Sequence, residues 1–231
     1  MITEAGSAGG PLGPQGELLS LLSSFVTLLP VEDTAVSALG APFEIETLAA
    51  TSSRSARLDE AQIDLGEGPA WDAYRNRRPV AMLIDRDRAS WPFFCASPAA
   101  IGVHSVVAVP LAFGPLPIGA VSLYSGALLA LDADQLALAE SLAALLGRAV
   151  VARVVAEAES GAPVRDPALS RREVHQATGM VISQTGSSPE DALLAIRAHA
   201  FRTGTTVRAV AAEIVARRLD FSPDSDDPKA G

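Results

Sequence analysis

The chain has 231 residues, 48% of them apolar and 19% charged, and a formal net charge of −9. That length is enough to bury a core, and that composition excludes a chain disordered throughout. A single cysteine, Cys95, excludes an internal disulfide, and His104, His175 and His199 are scattered without the Cys/His spacing of a zinc site.

Residues 1–15 are rich in glycine and proline and predict a flexible tail. They carry neither the basic start nor the apolar run of a signal peptide, so a cytoplasmic protein is expected. From Glu17, the spacing of Leu18, Leu21, Leu22, Phe25, Leu28 and Leu29 puts all six on one face of a helix that Pro30 ends. Strands are predicted at 34–39 and 43–50, around a Gly-Ala-Pro turn at 40–42. Residues 54–64 alternate charged and small apolar residues, the pattern of a surface helix, and Pro69 opens a short helix after Gly66-Glu67-Gly68. Val80–Ile84 is a short apolar strand, and 91–101 a loop or short helix.

Between Ser105 and Leu131 the only ionisable side chain is that of Tyr124, and the length would suit a membrane span. Pro110, Gly114, Pro115, Pro117, Gly119 and Gly126 interrupt it, so the two β-branched runs, 105–113 and 118–124, predict a buried hairpin instead. From Asp132 to Glu159 there is no proline and one glycine, which predicts a single long helix. Leu138, Leu142, Leu145, Ala149 and Ala152 follow four-three spacing, a short coiled-coil seam that would join two chains or pack on its own sheet.

Gly161-Ala162-Pro163 breaks that helix and places a linker at 161–164. Charge changes there as well: residues 1–164 carry −9, residues 165–219 carry +3, and residues 220–231 carry −3. Three helices are predicted in 165–221. The first, 169–183, presents Val174, Ala177, Thr178, Val181 and Ile182 on one face and stops at Gly186. A second is capped by Ser188 and opened by Pro189. The third starts at Thr205 or Thr206, with a stripe of Val207, Val210, Ala211, Ile214, Val215 and Leu219. Residues 222–231, with three Asp and two Pro, are expected to be disordered.

Two stretches resemble known families. Arg171-Arg172-Glu173-Val174-His175-Gln176-Ala177-Thr178-Gly179-Met180-Val181, followed by Glu190-Asp191-Ala192-Leu193 and Val210-Ala211, resembles the ANTAR domain of transcription antiterminators. Residues 16–157 resemble a GAF domain of the type that precedes ANTAR in actinobacterial regulators, through Gly66–Ala73, Arg78-Pro79-Val80, Trp91-Pro92-Phe93 and Gly102–Leu111.

The resemblance implies an α+β chain. A GAF sensory domain over 16–131, with a six-stranded antiparallel sheet flanked by helices, leads through a signalling helix at 132–160 to an all-α three-helix ANTAR domain at 165–221. It also implies a homodimer that binds tandem RNA stem-loops, and a GAF domain that takes a small-molecule or protein ligand. Ala70 stands where many such GAF domains have cysteine, which removes thiol sensing there. Thr178 and Thr206 stand where many ANTAR domains have basic residues.

The candidate RNA-binding residues are Arg171, Arg172, Thr178, Gly179, Arg197, Arg202, Thr205, Thr206 and Arg208, in the one positive block of the chain. Glycine inside a helix costs about 1 kcal/mol relative to alanine. Close packing of a second helix is the leading explanation for Gly179, with close approach of RNA behind it. Cys95, among Trp91, Phe93 and Phe94, reads as a small buried hydrophobe. No Gly-rich loop with Lys-Ser/Thr, no His-Glu-x-x-His and no Gly-x-Ser-x-Gly occurs, so no enzyme, metal site, cofactor or membrane association is expected. A second reading is a signalling adaptor whose helical module binds protein alone, its affinity for RNA having gone with the basic residues.

Overall fold

A computed structural model describes residues 14–160 and 171–222; the 161–164 linker, the tail before residue 14 and the acidic segment after Ser222 lie outside them. The described residues divide into two compact units. The first runs α1 (Pro14–Leu28), β1 (Asp33–Ala38), β2 (Glu46–Ala50), α2 (Ser53–Leu65), α3 (Pro69–Asn76), β3 (Val80–Leu83), α4 (Pro92–Ala96), β4 (Ser105–Phe113), β5 (Leu116–Ser125) and α5 (Ala133–Ser160). Its strands form one antiparallel sheet in the order β2-β1-β5-β4-β3, five strands among the described residues where six were implied. The apolar stretch 105–125 is the predicted hairpin, although Pro117 belongs to β5 and pairs with Ala112.

Side chains alternate across a strand, so the sheet has two distinct faces. Val36, Val107, Val109, Leu111, Val121 and Leu123 meet Leu18, Leu22 and Phe25 of α1 and Ala139, Leu142, Ala143, Leu146 and Val150 of α5. Each large aliphatic buried there contributes about 1.5–3 kcal/mol. Leu28 departs from the predicted stripe and is 56% exposed, because the helix turns its last residue away before Leu29 re-enters the core. The five-residue seam of α5 is divided as well. Leu142 and Ala149 are in the core, while Leu138 and Leu145 are 36% and 45% exposed and Ala152 faces solvent. Six inward positions on α5, at 139, 142, 143, 146, 149 and 150, follow the 3.6-residue period of a helix on a sheet rather than a heptad. Gly147 makes this packing possible, since a Cβ there would fall on the Ala112 carbonyl oxygen.

The opposite face is small and polar, and it corrects the surface-helix reading of 54–64. On α2, Ser55, Leu58, Asp59 and Gln62 are fully buried. Ser37 Oγ and Thr47 Oγ1 donate to the two Asp59 carboxylate oxygens at 3.2 and 2.7 Å. Gln62 Nε2 donates to Tyr124 Oη (3.0 Å) and Ser122 Oγ (3.3 Å), and Gln62 Oε1 accepts from the Ala70 amide at 2.9 Å. Trp71 Nε1 donates to the Gln62 carbonyl at 2.8 Å. Buried polar groups persist only when partnered in this way. Burial, with the Asp59 charge adding to it, holds the Tyr124 phenol well above its ordinary pKa.

The second unit contains α6 (Arg172–Thr185), α7 (Pro189–Thr203) and α8 (Val207–Val215). Val174, Ala177 and Val181 pack with Ala192, Ile196, Ala200, Val207, Val210, Ala211 and Ile214. The alanines let the three axes approach closely.

Candidate functional site

The ends of the C-terminal helices are set by local chemistry. Ser188 Oγ accepts from the Asp191 amide at 3.1 Å and donates to Asp191 Oδ2 at 2.7 Å, with Pro189 at the first helical position. Thr206, not Thr205, caps α8, accepting from the Ala209 amide at 3.1 Å. Gly186 and Gly204 close α6 and α7 at φ 68° and 65°, a left-handed conformation that glycine adopts without strain.

Seven of the nine candidate residues fall into two groups. Along α6, Arg172, Gln176, Gly179 and Ser183 are exposed at helical spacing and make one outward ridge. Helix packing does not account for Gly179: a Cβ placed there meets nothing within 4 Å, because the helix contacts its neighbours through Val174, Ala177 and Val181 instead. Beside it, Thr178 is half-buried and its hydroxyl donates back to the Val174 carbonyl at 2.7 Å. The second group is the α7–α8 corner. Arg202 is exposed and donates to His199 Nδ1 at 3.1 Å, Thr205 Oγ1 lies 3.0 Å from Thr203 Oγ1, Thr206 is the cap, and Arg208 is the second residue of α8. Arg171 immediately precedes α6, and Arg197 lies midway along α7.

Sequence reasoning passed over the end of the third helix. Arg217, at φ 58°, is exposed and makes no ion pair among the described residues, whereas Arg218 is bound through Nε and Nη2 to the Glu213 carboxylate, both at 2.7 Å. That bidentate pair holds the Glu213 carboxyl below its usual range. Phe221, predicted to be the last residue of the module, is anchored: its amide donates to Gln184 Oε1 at 3.1 Å and its ring meets His199 edge-on at 5.7 Å. The Arg217-Arg218 dipeptide was visible as charge; the Phe221 contact was not, since it joins residues far apart in sequence.

In the first unit, the sheet face toward α2 and α3 is filled by the Asp59 and Gln62 networks. An open groove of about 540 Å³ lies at the hairpin tip instead, lined by Ala112, Phe113, Gly114, Pro115, Leu116, Ala144 and Arg148. Cys95 is half-buried rather than buried; burial raises its thiol pKa, more than the Arg88 charge lowers it, so it does not present a thiolate. Among the described residues no cluster of His, Cys, Asp or Glu could hold a metal, and no helix is long and apolar enough to cross a membrane.

Residues 17–151 match the GAF domain family model. The chain belongs to the GAF family. Residues 165–215 match the ANTAR domain, so a GAF domain is followed by an ANTAR domain, both regulatory. A search of curated proteins returned no significant match. Among solved structures, a GAF domain region from Geobacter sulfurreducens is 17% identical, covering 60% of this chain and 93% of its own at a TM-score of 0.49. The GAF domain of a two-component sensor histidine kinase from Bacillus halodurans is 13% identical, with coverages of 58% and 92% and a TM-score of 0.45.

Proposed function

We propose that this chain is a cytoplasmic regulator of transcription antitermination, in which the GAF domain senses a small molecule or protein and the ANTAR helices bind tandem RNA stem-loops as a homodimer. The observation that carries the RNA reading is Gly179. A helical glycine costs about 1 kcal/mol, and no residue within 4 Å of its absent side chain accounts for it. An exposed glycine beside Arg172, Gln176 and Ser183 leaves room for a sugar-phosphate backbone to approach the helix closely, with a cation and two hydrogen-bonding side chains along the same ridge. Arg202 and Arg208 at the α7–α8 corner supply further positive charge. Leu138, Leu145 and Ala152, outward on α5, support self-association.

The adaptor reading has its own support: the Thr178 and Thr206 hydroxyls are both engaged by the backbone, so neither stands in for a basic side chain. Titrating the full-length protein with a tandem-hairpin RNA at several salt concentrations separates the two. RNA binding gives a steep fall in affinity as salt rises, reduced by an Arg172→Glu/Arg202→Glu double substitution. Weak binding that neither salt nor the double substitution changes would leave the adaptor reading.

A further inference from the structure

The three helices of the ANTAR domain contain a single Phe, Tyr or Trp, Phe201, and it points away from the core. From α7 the core takes Ala192, Ile196 and Ala200, one residue per turn, while Phe201 lies outside that line and is 61% exposed. Burying the ring would stabilise the bundle, and most of that gain is forgone, so stability does not account for the residue. Its surroundings are all of one kind. Arg202 follows it and is exposed, Thr205 comes next after the Gly204 turn, and Arg208 is the second residue of α8. From Ala192 to Ala212 the chain carries three arginines and no Asp or Glu. An aromatic face bordered by cations and hydroxyls, without a carboxylate, matches phosphates that carry an unpaired base. Bases within a paired stem are stacked on one another and offer no such face; bases in a loop do. A purely apolar protein contact would engage Leu194 as well, two turns back on α7 and also 61% exposed, and it has no use for the arginines.

We propose that the α7–α8 corner is a loop-base subsite, in which Phe201 stacks on one unpaired RNA base while Arg202 and Arg208 hold neighbouring phosphates. The subsite rests on the RNA reading above and adds what arginines alone do not supply. Phosphate contacts carry no sequence or loop information, whereas a stacking platform favours a hairpin loop over a paired stem of the same charge.

The test uses the full chain with a tandem-hairpin RNA and with an uninterrupted RNA duplex of equal length. Phe201→Ala and Phe201→Leu are each expected to weaken hairpin binding about tenfold at fixed salt. Both should leave duplex binding and the salt dependence unchanged, because stacking neutralises no phosphate. Phe201→Tyr keeps the ring and is expected to keep the affinity. With 2-aminopurine placed at one loop position at a time, one position is quenched on binding by the wild-type chain and by Phe201→Tyr, but not by Phe201→Leu. Wild-type affinity in Phe201→Leu, or equal losses on hairpin and duplex, would overturn the subsite and leave the RNA reading standing. An equal loss of hairpin affinity in Leu194→Ala would overturn it as well, since the apolar stripe as a whole, and not the ring, would then carry the effect. If the wild-type chain binds neither RNA, or binds without salt dependence, the RNA reading and the subsite fail together.

Discussion

The same substitution, glycine to alanine, has opposite expected effects at two helical positions of this chain. In a helix interior alanine is favoured over glycine by about 1 kcal/mol, through lower backbone entropy in the unfolded chain. At Gly179 nothing opposes that gain, since the added methyl group meets no atom within 4 Å. Gly179→Ala is therefore expected to stabilise the ANTAR helices by about 0.5–1 kcal/mol, which for a domain of this size raises the melting temperature by several degrees. At Gly147 the methyl group would strike the Ala112 carbonyl oxygen, with the Ala112 carbonyl carbon 3.1 Å away. That neighbour is backbone of β4 next to the strand's end, paired with Pro117, and has no side-chain rotation by which to yield, so α5 must lift from β4. Overpacking of this kind costs about 1–3 kcal/mol, which exceeds the propensity gain. Gly147→Ala is expected to be net destabilising by roughly 1–2 kcal/mol. Differential scanning calorimetry of the two variants, with urea titrations to confirm the free energies, measures both signs. A stabilised Gly147→Ala, or a destabilised Gly179→Ala, would refute the geometric argument. The Gly179 variant also tests function: if RNA comes close to the helix there, hairpin affinity falls while stability rises, a combination that damage to the fold does not produce.

Asp59→Ala strands the Ser37 and Thr47 hydroxyls beneath α2 and should cost about 2–4 kcal/mol, read from urea unfolding. Glu32 accepts from the Gly126 amide at 3.0 Å and from Arg54 at 3.1 Å, which hold its carboxyl below the usual range, the amide contributing most. A carboxyl with a lowered folded pKa stabilises above its unfolded pKa and loses that contribution as pH falls through the folded one. The wild-type advantage over Glu32→Gln in thermal melts should therefore be present at pH 7 and shrink below about pH 4.5. Leu138→Glu with Leu145→Glu should leave the melting temperature nearly unchanged while abolishing self-association in light scattering, because both side chains face outward.

The hairpin, the long helix and the three C-terminal helices were legible because each depends on short-range signals: β-branched runs, an unbroken helical segment, and Ser188, Gly186 and Gly204 at helix ends. The role of α2 was not. Its charged and small residues read as solvated, and only the tertiary pairing of Asp59 with Ser37 and Thr47, and of Gln62 with Ser122 and Tyr124, makes their burial possible. The seam of α5 is divided for a related reason: heptad and helical periods differ little over two turns, and the sheet beneath takes Leu142 and Ala149 while Leu138 and Leu145 face outward. At the candidate site, residue types and order carried the resemblance, while the open space around Gly179 and the anchoring of Phe221 depend on which helix faces turn inward.

Gln62 ties three elements with one side chain and its own carbonyl: β5 through Ser122 and Tyr124, α3 through the Ala70 amide and the Trp71 indole, and α2 by its own position. Moving any one of them away from the others breaks several buried bonds at once. Partial opening is therefore the most expensive state on the path. This side of the sensory domain should respond like a latch, closed or fully released, so that a graded input there would emerge as a two-valued output.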